Sequence, residues 1–571
     1  MKQLFAIPAF LATLNACAYA LGPAYAAAPA AQRHMIVAAE RDASEAGLEM
    51  LRAGGSAVDA AIAAQLVLTL VEPQSSGIGG SAYIMVSDSD ELYAYDGRET
   101  TPASATPDMY LDDQGNPLGF HEISYGGISV GVPGTIAVMA MAHRAHGRLA
   151  WDQLFEPAIR LAEDGFAVPE RLAHGLARGR GHARFADLPD MLDYFYHEDG
   201  MPMATGEILR NPELAETYRL LAAQGEEAFY HGELAQEIAD SVTHAPINPV
   251  PFTLSDLESY QAIEREPLCG SYRGYRACSL PPSTSGGTTV LQILGLLEHF
   301  PAELLQNHTA TSIHLIAEAS RLAYADRARW LGDPAFVEIP LEGLLDPAYL
   351  DMRASMINPA QSMGIAEAGT PPMQHGFLDY APAPAQTSYG TSHLSAVDER
   401  GQVVSMTMTI QAAYGAGIMA GGFILNNELT DFSPLPEIDG RIVANAPAPG
   451  KRPLSSMAPF ILFDPNGEFF AALGSPGGTQ IIGYTLQGIV SLIDANMSMQ
   501  EAAATPRVTN ENGATVIEQG TILEEFATAL TGMGHEVRPQ PFDSGLNGIR
   551  RIPNGYEGGA DPRRSGIPLG D

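Results

Sequence analysis

The chain has 571 residues, 46% of them apolar and 17% charged, with a net charge of −36. At roughly 150 residues per domain, this length corresponds to about three or four domain-sized units with enough apolar material for a large core. The acid excess excludes a general nucleic-acid binder, which needs a basic face against phosphates; a solvated acidic surface on an exported protein is favoured over adaptation to a salty medium.

Lys2 and the apolar run Leu4 to Leu14, followed by Ala18-Tyr19-Ala20 and Ala24-Tyr25-Ala26, have the anatomy of a secretory signal too short to span a bilayer. Residues 1–26 are therefore read as a signal cut after Ala26, with Ala20 as the alternative, and the mature protein as periplasmic or secreted. Leu14-Asn15-Ala16-Cys17 fits a lipoprotein signal poorly because of Asn15, so a soluble form is expected over a lipid anchor. No other apolar stretch reaches spanning length, and no membrane span is expected.

Asp42 to Leu51 predicts an amphipathic helix stopped by Gly54-Gly55, and Ser56 a cap for a second, almost wholly apolar helix through Val71. A helix apolar on all sides belongs inside a large layered domain. The turn-rich Glu72-Pro-Gln-Ser-Ser-Gly-Ile-Gly-Gly80 follows, then short strands at Tyr83 to Val86 and Leu92 to Tyr95. Thr135 to about Ala235 is helical with Pro and Gly interruptions, and Thr311 to Leu331 is a further long helix.

In Cys269-Gly-Ser-Tyr-Arg273-Gly274-Tyr-Arg-Ala-Cys278, a two-residue turn at Arg273-Gly274 sets Cys269 opposite Cys278. Directly opposed strand residues lie within disulfide range, and an oxidising compartment lets the bond form. The alternative is two free, half-buried thiols.

Pro359 to Gln386 has neither helical nor strand period and reads as an irregular, exposed segment. Strands follow at His393 to Val397, Val403 to Ile410, Gly422 to Leu425, Phe460 to Phe463 and Phe469 to Leu473, and then a helix at Gln480 to Ala495. No internal repeat is present.

Thr391 lies in Tyr389-Gly390-Thr391-Ser392-His393-Leu394-Ser395, where the irregular segment runs into a strand. A threonine hydroxyl is a weak nucleophile unless a base takes its proton. One solution is to make it an N-terminus, whose own α-amine has a pKa of roughly 7.7 to 8. That requires cutting the bond after Gly390, and glycine permits the tight turn such a cut needs.

Gly-Thr-Ser-His-Leu-Ser at 390–395 resembles the processing site of the gamma-glutamyltransferase family of N-terminal-nucleophile hydrolases. The likeness runs through Glu72 to Gly80, Asp96-Gly-Arg-Glu99, Gly131-Val-Pro-Gly134, Pro281 to Gly287 and His314 to Ala319. It continues through Tyr324 to Arg327, Leu331 to Pro334, Asn426-Asn-Glu428, Arg452 to Met457 and Gly474 to Gly478. The resemblance implies an α+β fold, a four-layer αββα sandwich with two central antiparallel sheets. It implies a precursor cut between Gly390 and Thr391 into a large chain, 27–390, and a small chain, 391–571, of one structural domain.

By the same resemblance Thr391 is the nucleophile, Thr409 its supporting hydroxyl, and Gly477 and Gly478 the oxyanion-hole donors. Arg98 with Ser455 and Ser456 matches the grip on the substrate α-carboxylate, for which a planar guanidinium fork is suited. Glu428 and Asp431 match the pair that holds the α-ammonium. The expected substrate is a gamma-glutamyl amide, glutathione by analogy, with water or an amino acid or peptide as acceptor and no cofactor.

Two departures bear on substrate preference. Gln411 stands where the family commonly has asparagine, and Leu429-Thr430-Asp431 keeps only the second aspartate of the usual pair. Ser433 to Gly450 also looks shorter than in relatives with a tyrosine-bearing lid, which favours hydrolysis over transfer. A cephalosporin or glutaryl acylase of the same family is the nearest alternative, and a non-catalytic exported binding protein the next. Gly127-Ile-Ser129-Val-Gly131 formally matches a nucleophile elbow, but Pro133-Gly134 interrupts the helix that motif requires. No His/Glu/Cys spacing suggests a metal site.

Overall fold

The computed structural model describes residues 28–571 apart from 180–186, 307, 374–378 and 384–389. The signal segment, part of the irregular segment and Tyr389 thus lie outside the described residues. No helix among the described residues is long and apolar enough to cross a membrane.

Two seven-stranded antiparallel sheets form the centre. The first runs Ile567–Gly570, Met35–Ala38, Thr391–Val397, Val403–Thr409, Ser81–Asp88, Glu91–Asp96 and Ile263–Arg265. The second runs Ala30–Ala31, Gly555–Ala560, Asn547–Ile552, Phe469–Gly474, Phe460–Phe463, Tyr275–Ser279 and Leu268–Tyr272. Side chains alternate across a strand, and the two cores follow that alternation. Leu394, Ala396, Val404 and Met406 face the helices 41–52, 57–71 and 135–146, whereas Val37, Met85, Val397 and Val403 meet Phe460, Ile461 and Leu473 of the second sheet. Helices Gly286–Leu297 and Ile481–Ile493 cover the far face, completing four αββα layers.

The local readings translate directly into elements. Helix Ala57–Val71 is buried throughout and starts in a reciprocal capping box, Asp59 N–H donating to Ser56 Oγ at 3.1 Å and Ser56 N–H to Asp59 Oδ2 at 2.7 Å. Helix Ala310–Trp330 and strands Ser81–Asp88 and Glu91–Asp96 lie where the pattern puts them. Arg273 and Gly274, both at positive φ, turn a hairpin that opposes Cys269 to Cys278, joined as a disulfide with Cα atoms 4.1 Å apart. The strand expected at 422–425 shrinks to Phe423–Ile424, because Gly421 and Gly422 at positive φ form the tight turn of a small hairpin with Met419–Ala420. The segment matching a nucleophile elbow is a short 3₁₀ turn in which Ser129 Oγ donates to the Gly126 carbonyl at 2.9 Å, so no elbow exists there.

The loop after the apolar helix explains its glycines. Asn426 N–H donates to the Gly79 carbonyl at 3.0 Å and Ile410 N–H to the Ser75 carbonyl at 3.2 Å, pressing the loop on the ends of two strands. A Cβ at Gly80 would lie 2.0 Å from the Thr409 carbonyl oxygen, an overlap with backbone that no rotamer relieves. Gly80→Ala is therefore expected to cost about 1–3 kcal/mol and to displace Thr409. Gly513→Ala, with open space around it, should stay within about 0.5 kcal/mol. Thermal melts of both variants, with a denaturing gel for the fragment pattern, check this; equal melting points would refute the steric account.

Candidate active site

Thr391 opens the central strand of the first sheet and pairs with Thr409, the last residue of the neighbouring strand. Both have the parity that faces the second sheet, and both are buried. Thr391 Oγ1 donates to Thr409 Oγ1 at 3.3 Å; Thr409 Oγ1 gives its own proton to the Gly390 carbonyl at 2.6 Å and accepts the Gln411 N–H at 2.7 Å. The hydroxyl beside Thr391 thus polarises the carbonyl of the very bond that precedes Thr391. A Cβ at Gly390 would lie 2.4 Å from the Gln411 carbonyl oxygen, so only glycine fits there.

The partner of Thr391 Oγ1 is another hydroxyl, not a base. His393 is occupied by Thr407 Oγ1 at 2.8 Å and Ser395 Oγ at 3.2 Å, and burial pushes its imidazole down to about 3, so it stays neutral. The start of the strand is anchored by charge: Arg564 Nη1 donates to the Thr391 carbonyl at 3.1 Å and to Glu72 Oε1 at 2.9 Å, while Ser392 Oγ donates to Glu72 Oε2 at 2.5 Å. Neither Glu72 nor Arg564 carries a sequence signal for this role; it arises from pairing across hundreds of residues.

Gly477 and Gly478 follow strand Phe469–Gly474, which passes directly over strand Thr391–Val397: a Cβ at Gly474 would lie 2.4 Å from His393 Cε1. Both glycines have positive φ, and Gly478 begins the 3₁₀ turn that leads into helix Ile481–Ile493. Among the described residues neither N–H donates to a protein acceptor. Free N–H groups at a helix start are ready donors for negative charge.

The charged residues expected to hold the substrate are paired with one another. Arg98 is fully buried; its Nη1 donates to Glu428, its Nη2 to Asp431, and its Nε to the Pro453 carbonyl at 3.0 Å. Burial works against the Arg98 charge, but Glu428, Asp431 and Glu99 outweigh it and raise the pKa. Burial pushes the Glu428 carboxyl up to about 7, against the pull of Arg98 and with Asp431 adding to it. Asp431 is raised by burial against the same arginine, and Gln411 donates its amide to it from a residue at positive φ. Ser455 and Ser456 adjoin Pro453 but do not touch Arg98. Ser455 Oγ accepts the Met457 N–H at 3.1 Å, and Ser456 Oγ accepts Arg327 Nη2 at 2.9 Å.

A cleft of about 1010 Å³ is lined among others by Gln74, Arg171, Ala412, Tyr414, Gln480 and Arg564, the last of which holds the Thr391 carbonyl. A small cavity of about 20 Å³ lies between Arg327, Asp431, Asn445 and Thr479. Away from the site, the fold gathers a trio that spacing did not reveal, His314, Glu318 and His535, with ligand atoms within 4.8 Å of one another. Those atoms are already engaged: His314 Nδ1 meets His535 Nε2 at 2.7 Å, and Glu318 accepts from Arg321, Ser362 and Met363.

A family model described as Gamma-glutamyltranspeptidase matches residues 43–570. The glutathione hydrolase proenzyme of Bacillus subtilis (strain 168) is 38% identical over 550 residues, covering 94% of this chain and 91% of its own. The Acylase ACY 1 proenzyme of Pseudomonas sp. (strain V22) is 36% identical over 549 residues, covering 94% and 93%. Among solved structures, the cephalosporin acylase from Bacillus halodurans superposes with a TM-score of 0.84 at 27% identity, over 100% of this chain and 99% of that one.

Four αββα layers with a threonine at the head of a central strand define an N-terminal-nucleophile hydrolase. The chain belongs to the gamma-glutamyltranspeptidase family. Its activity class is gamma-glutamyl transfer and hydrolysis.

The Glu428 shift sets a test of the buried charges. Because its folded value lies above the ordinary 4.5, Glu428 favours folding fully below pH 4.5, and that contribution is lost as pH rises through about 7. Glu428→Gln, which mimics the protonated acid but loses the charge that meets Arg98, should compare with wild type in melting temperature more favourably at pH 8 than at pH 5. A more favourable comparison at pH 5, read by calorimetry, would reverse the sign and refute it.

Proposed function

We propose that the chain cuts itself between Gly390 and Thr391 and then uses Thr391 as its nucleophile on gamma-glutamyl amides. The observation that carries the reading is the Thr409 hydroxyl, which donates to the Gly390 carbonyl and accepts from Thr391. Attack of Thr391 Oγ on that carbonyl forms an ester in place of the amide; water opens the ester, leaving a carboxylate on Gly390 and a free amine on Thr391. The large chain then spans 27–390 and the small chain 391–571, held together because strands Thr391–Val397 and Val403–Thr409 of the small chain pair with Met35–Ala38 and Ser81–Asp88 of the large one.

The new amine supplies the base that the side chains around Thr391 do not. Thr391 attacks the γ-carbonyl of the donor, Gly477 and Gly478 take the oxyanion, and the amine leaves with the proton. Water, or the amine of an amino acid or short peptide, then releases the glutamyl group. Losing one oxyanion donor costs about 3–4 kcal/mol of transition-state stabilisation in such sites.

The donor's zwitterionic end exchanges with the internal ion pairs. Its α-carboxylate takes Arg98 with the Ser455 and Ser456 hydroxyls, and its α-ammonium takes Glu428, Asp431 and Gln411. That exchange keeps every buried charge compensated, which argues for a zwitterion over a simple acyl group. Glutathione is the donor by analogy with the relatives named glutathione hydrolase, and the periplasm or the cell exterior is the site of action.

A second reading, an acylase for glutaryl or cephalosporin side chains, draws on the 36% identical acylase and the cephalosporin acylase structure. Gamma-glutamyl and glutaryl anilides, assayed side by side, separate the two: the proposed ammonium site predicts at least a tenfold preference in kcat/KM for the gamma-glutamyl compound. Thr391→Ala is expected to give one uncut, inactive chain and the wild type two chains, the smaller beginning Thr-Ser-His-Leu by N-terminal sequencing. An uncut yet active wild type, or normal cutting in Thr391→Ala, would falsify the mechanism. An uncut and inactive wild type would leave the binding-protein alternative standing.

A further inference from the structure

Arg327 is buried on helix Ala310–Trp330, and its guanidinium makes no ion pair among the described residues. Its Nε donates to Ser285 Oγ at 2.8 Å and its Nη2 to Ser456 Oγ at 2.9 Å. Nη1 has no hydrogen-bond partner there, and the residue lines the small cavity shared with Asp431 and with Thr479, the neighbour of Gly478. Burial works against the charge and draws its pKa down. The other buried arginine of the site, Arg98, is already met by two carboxylates. Glu511 and Asp431 offset part of that cost from nearby without bonding to the guanidinium, which leaves Nη1 open toward the small cavity.

Hydrogen-bond bookkeeping sharpens this. A guanidinium only donates, and a serine hydroxyl has one proton to give. Arg327 therefore forces Ser456 Oγ to accept, and among the described residues the Ser456 O–H has no acceptor. Ser285 passes its proton to the Ser455 carbonyl at 2.6 Å, tying the same guanidinium to the main chain of the serine pair. Ser455 Oγ likewise accepts, from the Met457 N–H, and has its proton to spare.

We infer that Arg327 is a positioning and specificity-determining residue: by making Ser456 Oγ accept, it turns the Ser456 hydroxyl proton toward the donor's carboxylate. The inference rests on the reading of this site as one for a gamma-glutamyl donor. It requires that Arg327 matter for substrates with the carboxylate and not for those without it.

The test compares wild type, Arg327→Gln and Arg327→Lys on gamma-glutamyl anilide and on 4-aminobutyryl anilide, which keeps the amine but lacks the α-carboxylate. Where the second compound turns over too slowly, its competitive inhibition constant replaces KM. Arg327→Gln should raise KM for gamma-glutamyl anilide roughly 10- to 100-fold, the range for losing a hydrogen bond to a charged group. It should shift the constant for 4-aminobutyryl anilide less than threefold and kcat less than threefold. Arg327→Lys, which keeps the charge but lacks the planar fork that spans both serines, should fall between, and it carries the test should the glutamine variant not fold. In a Ser456→Ala background, Arg327→Gln should add less than a threefold further rise. Equal losses on both substrates, or additive effects with Ser456→Ala, would mean a merely structural role and overturn the inference. A wild type that does not cleave gamma-glutamyl anilide would instead overturn the functional reading on which it rests.

Discussion

The whole site hangs on the register between strands Thr391–Val397 and Val403–Thr409. With Thr391 opposite Thr409, both hydroxyls turn toward the second sheet, where the glycine pair after Gly474 waits. A slip of one residue would send Thr391 to the helix side and replace it by Ser392. That register is strongly specified, because the other face of the same strands carries Leu394, Ala396, Val404, Met406 and Met408 into the helical layer. Apolar burial on one face therefore fixes the chemistry on the other. The charged candidates and the glycine pair sit where elements end: Arg98 past a strand, Glu428 and Asp431 on a 3₁₀ turn, Gly477 and Gly478 before a helix. Ends are where backbone donors are unspent and side chains can converge.

The buried charges have a second logic. An ion pair this deep gains little net stability, since desolvation offsets most of the attraction, whereas removing one partner leaves a naked charge at about 3–5 kcal/mol. A cluster of Arg98, Glu428 and Asp431 is thus poor as a stabilising device and good as a template. Arg98 meets Glu428 through Nη1 and Asp431 through Nη2, so most of the buried charge is paired within the protein. On the proposed reading, a zwitterion entering that cluster meets charges already desolvated and oriented, at the cost of breaking the internal pairs. Affinity falls by that amount, and selectivity against substrates with only one of the two charges rises, because they would leave a partner stranded.

Much of this was legible because local chemistry and tertiary context agreed. Ser56 with Asp59, the apolar helix behind them, and the Arg273-Gly274 hairpin each carry their signal within a few residues. The helical stretch after Thr135 resolves into short helices because Pro157, Pro189 and Pro212 start new ones and Gly165 and Gly225 end old ones. The strand at 422–425 was over-read, since Gly421 and Gly422 look like ordinary strand glycines until their positive φ is known. At the site, residue identities were readable through motif likeness, but their alliances were not. That Arg98 joins Glu428 and Asp431, that Arg564 holds the Thr391 carbonyl and that Arg327 holds Ser456 are contacts between distant segments with no periodicity to betray them. Arg327 even lies within Tyr324-Ala-Asp-Arg327, a stretch that carries the family likeness, without any local reason to single it out.

The proton on Thr409 connects maturation to turnover. As long as the Gly390 carbonyl is in place, that proton is committed to it, and Thr391 Oγ can only donate toward Thr409. On the proposed reading, the cut turns this carbonyl into part of a carboxylate on Gly390 that is no longer joined to Thr391. The Thr409 proton is then released from the amide it served, with Thr391 Oγ at 3.3 Å and the Glu428 carboxylate beside it. Given to Thr391 Oγ, it reverses the hydrogen bond between the two threonines: Thr409 becomes the donor, Thr391 Oγ the acceptor, and the Thr391 proton passes to the new amine. A nucleophile that accepts at one lone pair and gives its proton to a base is oriented for attack. One hydroxyl, held in place by strand register, thereby serves first the bond that is cut and then the residue that the cut exposes.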